Sequence, residues 1–182
     1  MAKLVSKTYG EALFALAIEE NIIEDTAAEA KGILEVLKEN EDLLKFLKHP
    51  QVTKEEKEKT MENIFKGKIS ETMMGFLVLT VEKDRQNDLA QTLQYFLDKY
   101  MEYKKIGVVY VSSASMLSDV QKKELETKLL SITEFLELEM NYEEDPSLIG
   151  GMVIRIGDRV VDSSIRTKLA GMAKELSKVS LS

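Results

Sequence analysis

Apolar residues recur every three or four positions through roughly the first 105 residues, and every second position in several short stretches after them. Around Lys3–Glu20, Leu4, Val5, Tyr9, Ala12, Leu13, Leu16 and Ala17 follow the helical spacing, and Asn21 breaks the run. A second helix is expected over Ile22–Glu39, carrying Ile33, Leu34 and Leu37, and a third over Glu41–Lys48, holding Leu43, Leu44, Phe46 and Leu47. Pro50 ends the third, because the residue before a proline is pushed out of the helical region. Thr53 with Glu56 three residues on is a capping box opening a fourth helix to about Phe65, and Gly67 suits the left-handed turn that stops it. The fifth helix, about Ile69–Lys83, is apolar nearly all round, so it is central or carries two packing faces. A sixth, about Asn87–Lys104, repeats Leu89, Leu93, Phe96, Leu97 and Tyr100.

After Lys105 the period changes. Ile106–Ala114 is rich in β-branched residues. Leu136, Leu138, Met140 and Tyr142 alternate with Glu137, Glu139, Asn141 and Glu143, the pattern of a half-buried strand. Met152–Ile156 and Val160-Val161 are further short strands. Ser118 with Gln121 is a second capping box, starting a helix to about Thr133. The run Asp162-Ser163-Ser164 is expected to cap a last helix, with Asp162 or Ser163 as its N-cap and Ile165, Leu169, Met172 and Leu176 on one stripe. The fold class is therefore α+β: a six-helix bundle over 1–105, then a small α+β domain of order βαβββα over 106–182.

Composition narrows the function. The net charge of −7 argues against a phosphate backbone as partner and against a polybasic grip on anionic lipid. The chain has no cysteine, which removes disulfides, thiolate nucleophiles and Cys-based metal sites. No apolar run approaches the ~20 residues needed to span a bilayer, so no direct membrane insertion is expected. Gly67-Lys68 looks like the end of a phosphate loop, but Glu62 stands where its first glycine belongs and Ile69 where Ser or Thr belongs. The only histidine, His49, sits beside Pro50 at a helix end, and no G-x-S-x-G elbow accompanies it. The acidic runs, such as Glu55-Glu56 and Glu143-Glu144-Asp145, read as solvated faces or turns. The expectation is a protein with no cofactor, no metal and no catalytic residues. A carboxylate hydrolase and a free-standing helical peptide-binding module are the rivals to an adaptor.

What remains is surface for other proteins. On the first helix Tyr9, Leu13 and Leu16 form one row, while Val5, Ala12 and Phe14 spread beyond it. The fifth helix has the same apolar excess. Two such helices frame a groove for a partner helix or simply fill a bundle core, and the pattern alone fits both.

Two stretches carry a family resemblance. Tyr9-Gly10-Glu11-Ala12-Leu13-Phe14-Ala15-Leu16-Ala17 resembles the first-helix motif of the delta subunit of F-type ATP synthases, whose mitochondrial counterpart is the oligomycin sensitivity conferral protein. Asp145-Pro146-Ser147-Leu148-Ile149-Gly150-Gly151-Met152, continuing to Asp158, with Val160-Val161-Asp162-Ser163-Ser164-Ile165-Arg166, resembles that family's C-terminal signature. Gly10 stands in place of the usual alanine and Ser163 in place of the usual glycine. The resemblance implies a non-catalytic stator subunit on the cytoplasmic face of the cell membrane, held there through its complex. Its N-terminal domain would bind the N-terminal helices of alpha subunits, and its C-terminal domain the b subunits of the peripheral stalk. By motif match Tyr9, Ala12, Leu13 and Leu16 are the implied groove residues, with Met73, Met74, Leu77 and Val78 added from helix five. Asp145, Gly150, Gly151 and Asp162 read as structural, and Arg166 either pairs with Asp162 or reaches a stalk helix.

Overall fold

The computed structural model describes residues 2–179, with side chains described from Leu4 to Lys174. The chain divides into two compact units, Met1–Tyr100 and Met101–Ser182.

The first unit is helical. Its elements are α1 (Ala2–Glu19), α2 (Ile23–Glu39), α3 (Glu41–Lys48), α4 (Lys54–Phe65), α5 (Glu71–Glu82), a 3-10 turn at Gln86–Asp88, and α6 (Leu89–Lys104). Stop signals act as their chemistry dictates. Asn21 takes a φ of 58° and Gly67 a φ of 74°, the left-handed conformation that Asn and Gly reach most easily. Both halves of the Thr53–Glu56 capping box form, so two N–H groups at the start of α4 are satisfied. Helix α5 starts two residues later than its apolar run suggests, because Ser70 caps it: the hydroxyl accepts from Met73 N. That cap is itself held. The Glu29 carboxylate of α2 accepts from Ser70 N at 2.6 Å and from Ser70 Oγ at 2.8 Å.

The core of this unit gathers Leu13, Ala17, Ile33, Leu37, Leu47, Met61, Met73, Leu77, Leu93 and Phe96, with contributions from every helix. Phe14 meets Phe96 edge-on, at 6.3 Å between ring centroids. Next to them Gly10 lets α1 approach α6 closely: a Cβ there would stand 2.6 Å from Tyr95 Cδ1 and 3.2 Å from the Thr92 carbonyl oxygen. Tyr95 completes the contact by donating its hydroxyl to Glu11 Oε1 at 3.1 Å.

The second unit holds β1 (Ile106–Ser113), α7 (Asp119–Ile132), β2 (Glu137–Glu144), a 3-10 turn at Pro146–Leu148, β3 (Met152–Ile156), β4 (Arg159–Asp162) and α8 (Ile165–Val179). The sheet order is β2-β1-β3-β4. Strands β1 and β2 are parallel, joined by α7, and the other two pairs are antiparallel. Register places Val109 beside Met140 and Ile156, and Val111 beside Tyr142 and Ile154. Alternation then sends Val109, Val111, Leu138, Ile154 and Ile156 to one face, where Leu125, Leu129 and Leu130 of α7 cover them. On the other face Tyr110 is exposed, with the Arg155 guanidinium 4.6 Å above its ring.

Two expectations are corrected here. Leu136 precedes β2 and is exposed, because the strand begins at Glu137; its N–H reaches back to the Lys105 carbonyl oxygen. The N-cap of α8 is Ser164, neither Asp162 nor Ser163: the Ser164 hydroxyl accepts from Thr167 N at 3.2 Å, and its side chain is fully buried.

The Gly10 contact sets two effects against each other. In a helix interior Ala is favoured over Gly by ~1 kcal/mol, but forcing a methyl into a filled interface costs ~1–3 kcal/mol. Gly10→Ala is expected to destabilise the full chain by ~1 kcal/mol in urea unfolding. In a Tyr95→Ala background the same change is expected to become stabilising, and a double-mutant cycle reads that reversal of sign.

Candidate partner-binding surfaces

At the start of α5, Thr72 Oγ1 donates to Glu20 Oε2, just past the end of α1, at 3.1 Å. At 3.6 residues per turn, Tyr9 and Leu16 share one row of α1, with Ala12 on one flank and Leu13 on the other. Tyr9 is half-buried against the core, and Ala12 and Leu16 are exposed. Leu13 is 2% exposed, so it belongs to the core and offers no surface to a partner.

The same geometry sorts α5. Met73 and Leu77 are fully buried, which corrects the expectation that they line a groove: both point inward among Leu13, Phe96 and their neighbours. Met74 and Val78 are half-buried, and stand roughly 160° and 120° round the helix from Thr72. The residue that shares the Thr72 row is Leu79, seven positions on and exposed, with Gly75 beside it, also exposed and with open space around it. Sequence reading passed over both. In a helix apolar on all sides, hydropathy does not say which row faces solvent. Thr80 hides the answer further, being a buried polar residue whose hydroxyl donates to the Phe76 and Leu77 carbonyl oxygens of its own helix.

In the second unit the signature residues come together as a clasp between the 3-10 turn and the start of α8. Asp145 opens the turn, accepting from Ser147 N at 3.0 Å. Gly151 has a φ of 77°, and a Cβ on it would stand 2.5 Å from the Ser163 carbonyl oxygen, so glycine is required there on both counts. A Cβ on Gly150 would meet Ile165 Cδ1 at 2.5 Å, while the Gly150 carbonyl oxygen accepts from Ile165 N at 2.9 Å. The Met152 carbonyl oxygen accepts twice from Ser163, from N at 2.9 Å and from Oγ at 2.8 Å. Ser163 has no positive φ and uses its hydroxyl in that bond, which explains why glycine is not needed at this position. Arg166 donates from Nη1 to Ser147 Oγ at 3.0 Å, closing the clasp across the turn.

Asp162 anchors the other side. Its Oδ1 accepts from Ser164 N at 2.8 Å and its Oδ2 from Thr167 Oγ1 at 2.7 Å. These bonds from Ser164 and then Thr167, with Arg166 nearby, hold its carboxyl down to about 2. Hydrogen bonding to Ser147, with Arg166 adding to it, lowers Asp145 as well.

Beyond the clasp, α8 packs on the Pro146–Leu148 turn and keeps its apolar stripe in solvent: Ile165 is 42%, Leu169 51% and Met172 60% exposed. The side chain of Leu176, the fourth member of that stripe in the sequence, lies outside the described ones. Among the described residues no group of histidines and carboxylates is arranged to hold a metal, and no helix is long and apolar enough to cross a membrane. A hollow of 590 Å³ between the end of α2 and the start of α3 is open and lined by charged side chains including Glu39, Glu41, Asp42 and Lys45. His49 is exposed, its Nδ1 accepting from Gln51 N. None of this assembles a nucleophile with a base.

The Asp162 carboxyl makes a pH prediction with a definite sign. Its folded value, about 2, lies below the ~3.9 of an unfolded Asp. Its contribution is thus fully present above pH ~4 and is lost as the pH falls towards 2. Side-chain NMR titration is expected to find the Asp162 midpoint near 2, and Asp162→Asn to flatten the decline of stability across that window.

Comparison with known proteins agrees with this geometry. A family model described as the ATP synthase delta (OSCP) subunit matches residues 5–176. The ATP synthase subunit delta of Lachnoclostridium phytofermentans is 50% identical over 181 residues, the whole of both chains. That of Desulforamulus reducens is 37% identical, covering 94% of each chain. In a cryo-EM structure of the Toxoplasma gondii mitochondrial ATP synthase hexamer, one chain superposes with a TM-score of 0.73 at 20% identity, covering 94% of this chain and 96% of that one, which supports the fold. With its family model spanning residues 5–176 and a relative half identical over its whole length, the chain belongs to the ATP synthase delta (OSCP) subunit family, the non-catalytic stator subunits of the rotary enzyme.

Proposed function

We propose that this chain is the adaptor between two partners of the stator. Its first unit takes the N-terminal helices of alpha subunits, and its second takes the b subunits of the peripheral stalk. Proton flow is then coupled to ATP synthesis because the catalytic head is kept from turning with the rotor. The protein works on the cytoplasmic face of the cell membrane, reaching it through the complex and not through a lipid contact of its own.

The observation that carries this reading is that each unit leaves apolar helix residues exposed among the described ones. In the first unit these are Ala12 and Leu16 of α1 and Gly75 and Leu79 of α5, which make the α1–α5 seam of this proposal; in the second they are the α8 stripe. A seam between two helices accepts an amphipathic helix through an i, i+3, i+4, i+7 face. Two linked grips raise the overall hold far beyond either alone, which an attachment under torque requires.

Leu16 is the position to test, because it is exposed and its replacement leaves the core intact. Leu16→Asp is expected to keep the circular dichroism spectrum and urea midpoint of the full chain. It is expected to weaken binding of the alpha-subunit N-terminal peptide at least ~10-fold by calorimetry, since a charge replaces a buried apolar contact. Equal binding by the folded variant would remove the seam from the proposal.

A further inference from the structure

Strand β2 is an edge of its sheet: in the order β2-β1-β3-β4 no strand among the described residues lies on its outer side. The backbone N–H and C=O groups along such an edge are a template for another strand. The opposite edge, β4, is four residues long, and shortness is a common way of blunting an edge. Strand β2 is eight residues long and pairs with β1 residue for residue, from Ile106 with Glu137 to Ser113 with Glu144, without a bulge. It holds no proline and no glycine. What guards this edge is charge of one sign: Glu137, Glu139, Glu143 and Glu144, with no Lys or Arg among them.

Alternation sorts these carboxylates. Glu137, Glu139 and Glu143 share the face of the sheet turned from α7, with Asn141 among them. Leu138, Met140 and Tyr142 turn to the α7 side. There Leu138 is buried, Met140 is half-buried, and Tyr142 is 36% exposed, with the Lys122 ammonium of α7 5.1 Å from its ring centroid. Among the described residues Glu137, Glu143 and Glu144 take part in no ion pair. The edge therefore shows a carboxylate at alternate positions on one side and a partly apolar rim on the other.

We infer that the free edge of β2 is a docking site for an extended segment of a partner protein, added as a fifth strand, with Lys or Arg at alternate positions and apolar residues between them. Backbone bonds along the edge supply the hold. The basic side chains stand beside Glu137, Glu139 and Glu143, and the apolar ones cover Met140 and Tyr142. Charge selects this occupant over a second copy of the chain, because two β2 edges side by side would set like charges opposite one another. The site shares no residue with the α1–α5 seam or the α8 stripe.

The test titrates the full-length chain with a terminally blocked peptide of about ten residues, alternating lysine and valine, long enough to cover β2. Backbone amides are followed by NMR across a salt series. Saturable binding is expected, weakening as salt rises, with hydrogen exchange slowed at alternate amides of β2, as a new ladder requires. Glu143→Lys is expected to keep the urea midpoint and to bind about tenfold more weakly. The same peptide with its backbone nitrogens methylated keeps its charge and cannot form the ladder, and it is expected not to bind. Equal binding by the methylated peptide would reduce the edge to a solvated acidic face and overturn the inference. Binding that leaves exchange in β2 unchanged, a folded Glu143→Lys that binds as wild type does, or no saturable binding at all would overturn it too. If the chain alone sediments as a dimer with its β2 amides already protected, a second copy occupies the edge and the inference is wrong.

Discussion

The second unit depends on one close approach: the backbone at Gly150 and Gly151 against the backbone of Ser163 to Ile165. A Cβ on Gly151 would meet the Ser163 carbonyl oxygen, so glycine there lets strand and helix come within reach of the main-chain bonds Ser163 N to Met152 O and Ile165 N to Gly150 O. Everything polar around it serves the same join. Asp145 shapes the turn before it, Asp162 and Ser164 satisfy the N–H groups after it, and Arg166 bridges the two sides. Because the helix is held at its first turn, its apolar stripe need not be spent on holding it. An amphipathic helix normally pays for its place by burying that face; α8 is placed by its cap and its backbone, and its face stays available.

The first unit solves a different problem. It has apolar residues to spare, and the question is which of them the core takes. Gly10 decides part of this by letting α1 press onto α6, so Leu13 and Ala17 turn fully inward beside Phe96. Leu16, on another side of α1, stays exposed. On α5 the buried Thr80 takes a core position that a hydrophobic residue would usually hold, and Leu79 is left in solvent. An exposed apolar row bounded by a polar bridge, Thr72 to Glu20, is the pattern of a surface kept for contact.

Much of this was legible in the chain itself, for identifiable reasons. Capping boxes at Thr53 and Ser118 have short-range chemistry, and both form as written. The strands at Ile106 and Met152 announce themselves by β-branched runs, and Asn21 and Gly67 by their tolerance of positive φ. The αβ order of the second unit followed from the change of period. Groove residues were harder. Leu13, Met73 and Leu77 have the same hydropathy as Leu16 and Leu79, and only the direction of each neighbouring helix separates them. That direction is a tertiary property. Likewise Asp162, Ser163 and Ser164 are equally good capping residues by type, and what singles out Ser164 is where the Gly150 carbonyl oxygen sits. Ile149 gave no warning at all, since nothing in a Leu-Ile-Gly-Gly run assigns the left-handed conformation to the isoleucine and not to the glycine after it.

The Glu29–Ser70 pairing has a mechanical consequence. Helices packed only through apolar side chains slide past one another at small cost. Here the first turn of α5 is tied to α2 by two short bonds to one carboxylate, and the same serine hydroxyl also receives the Met73 N–H. Bonds to an ionised acceptor are directional and roughly twice as strong as neutral ones. A sideways load on α5 is therefore resisted at a fixed point and passed to α2 as tension, so the bundle responds to pulling as a braced frame and not as a stack of sliding rods.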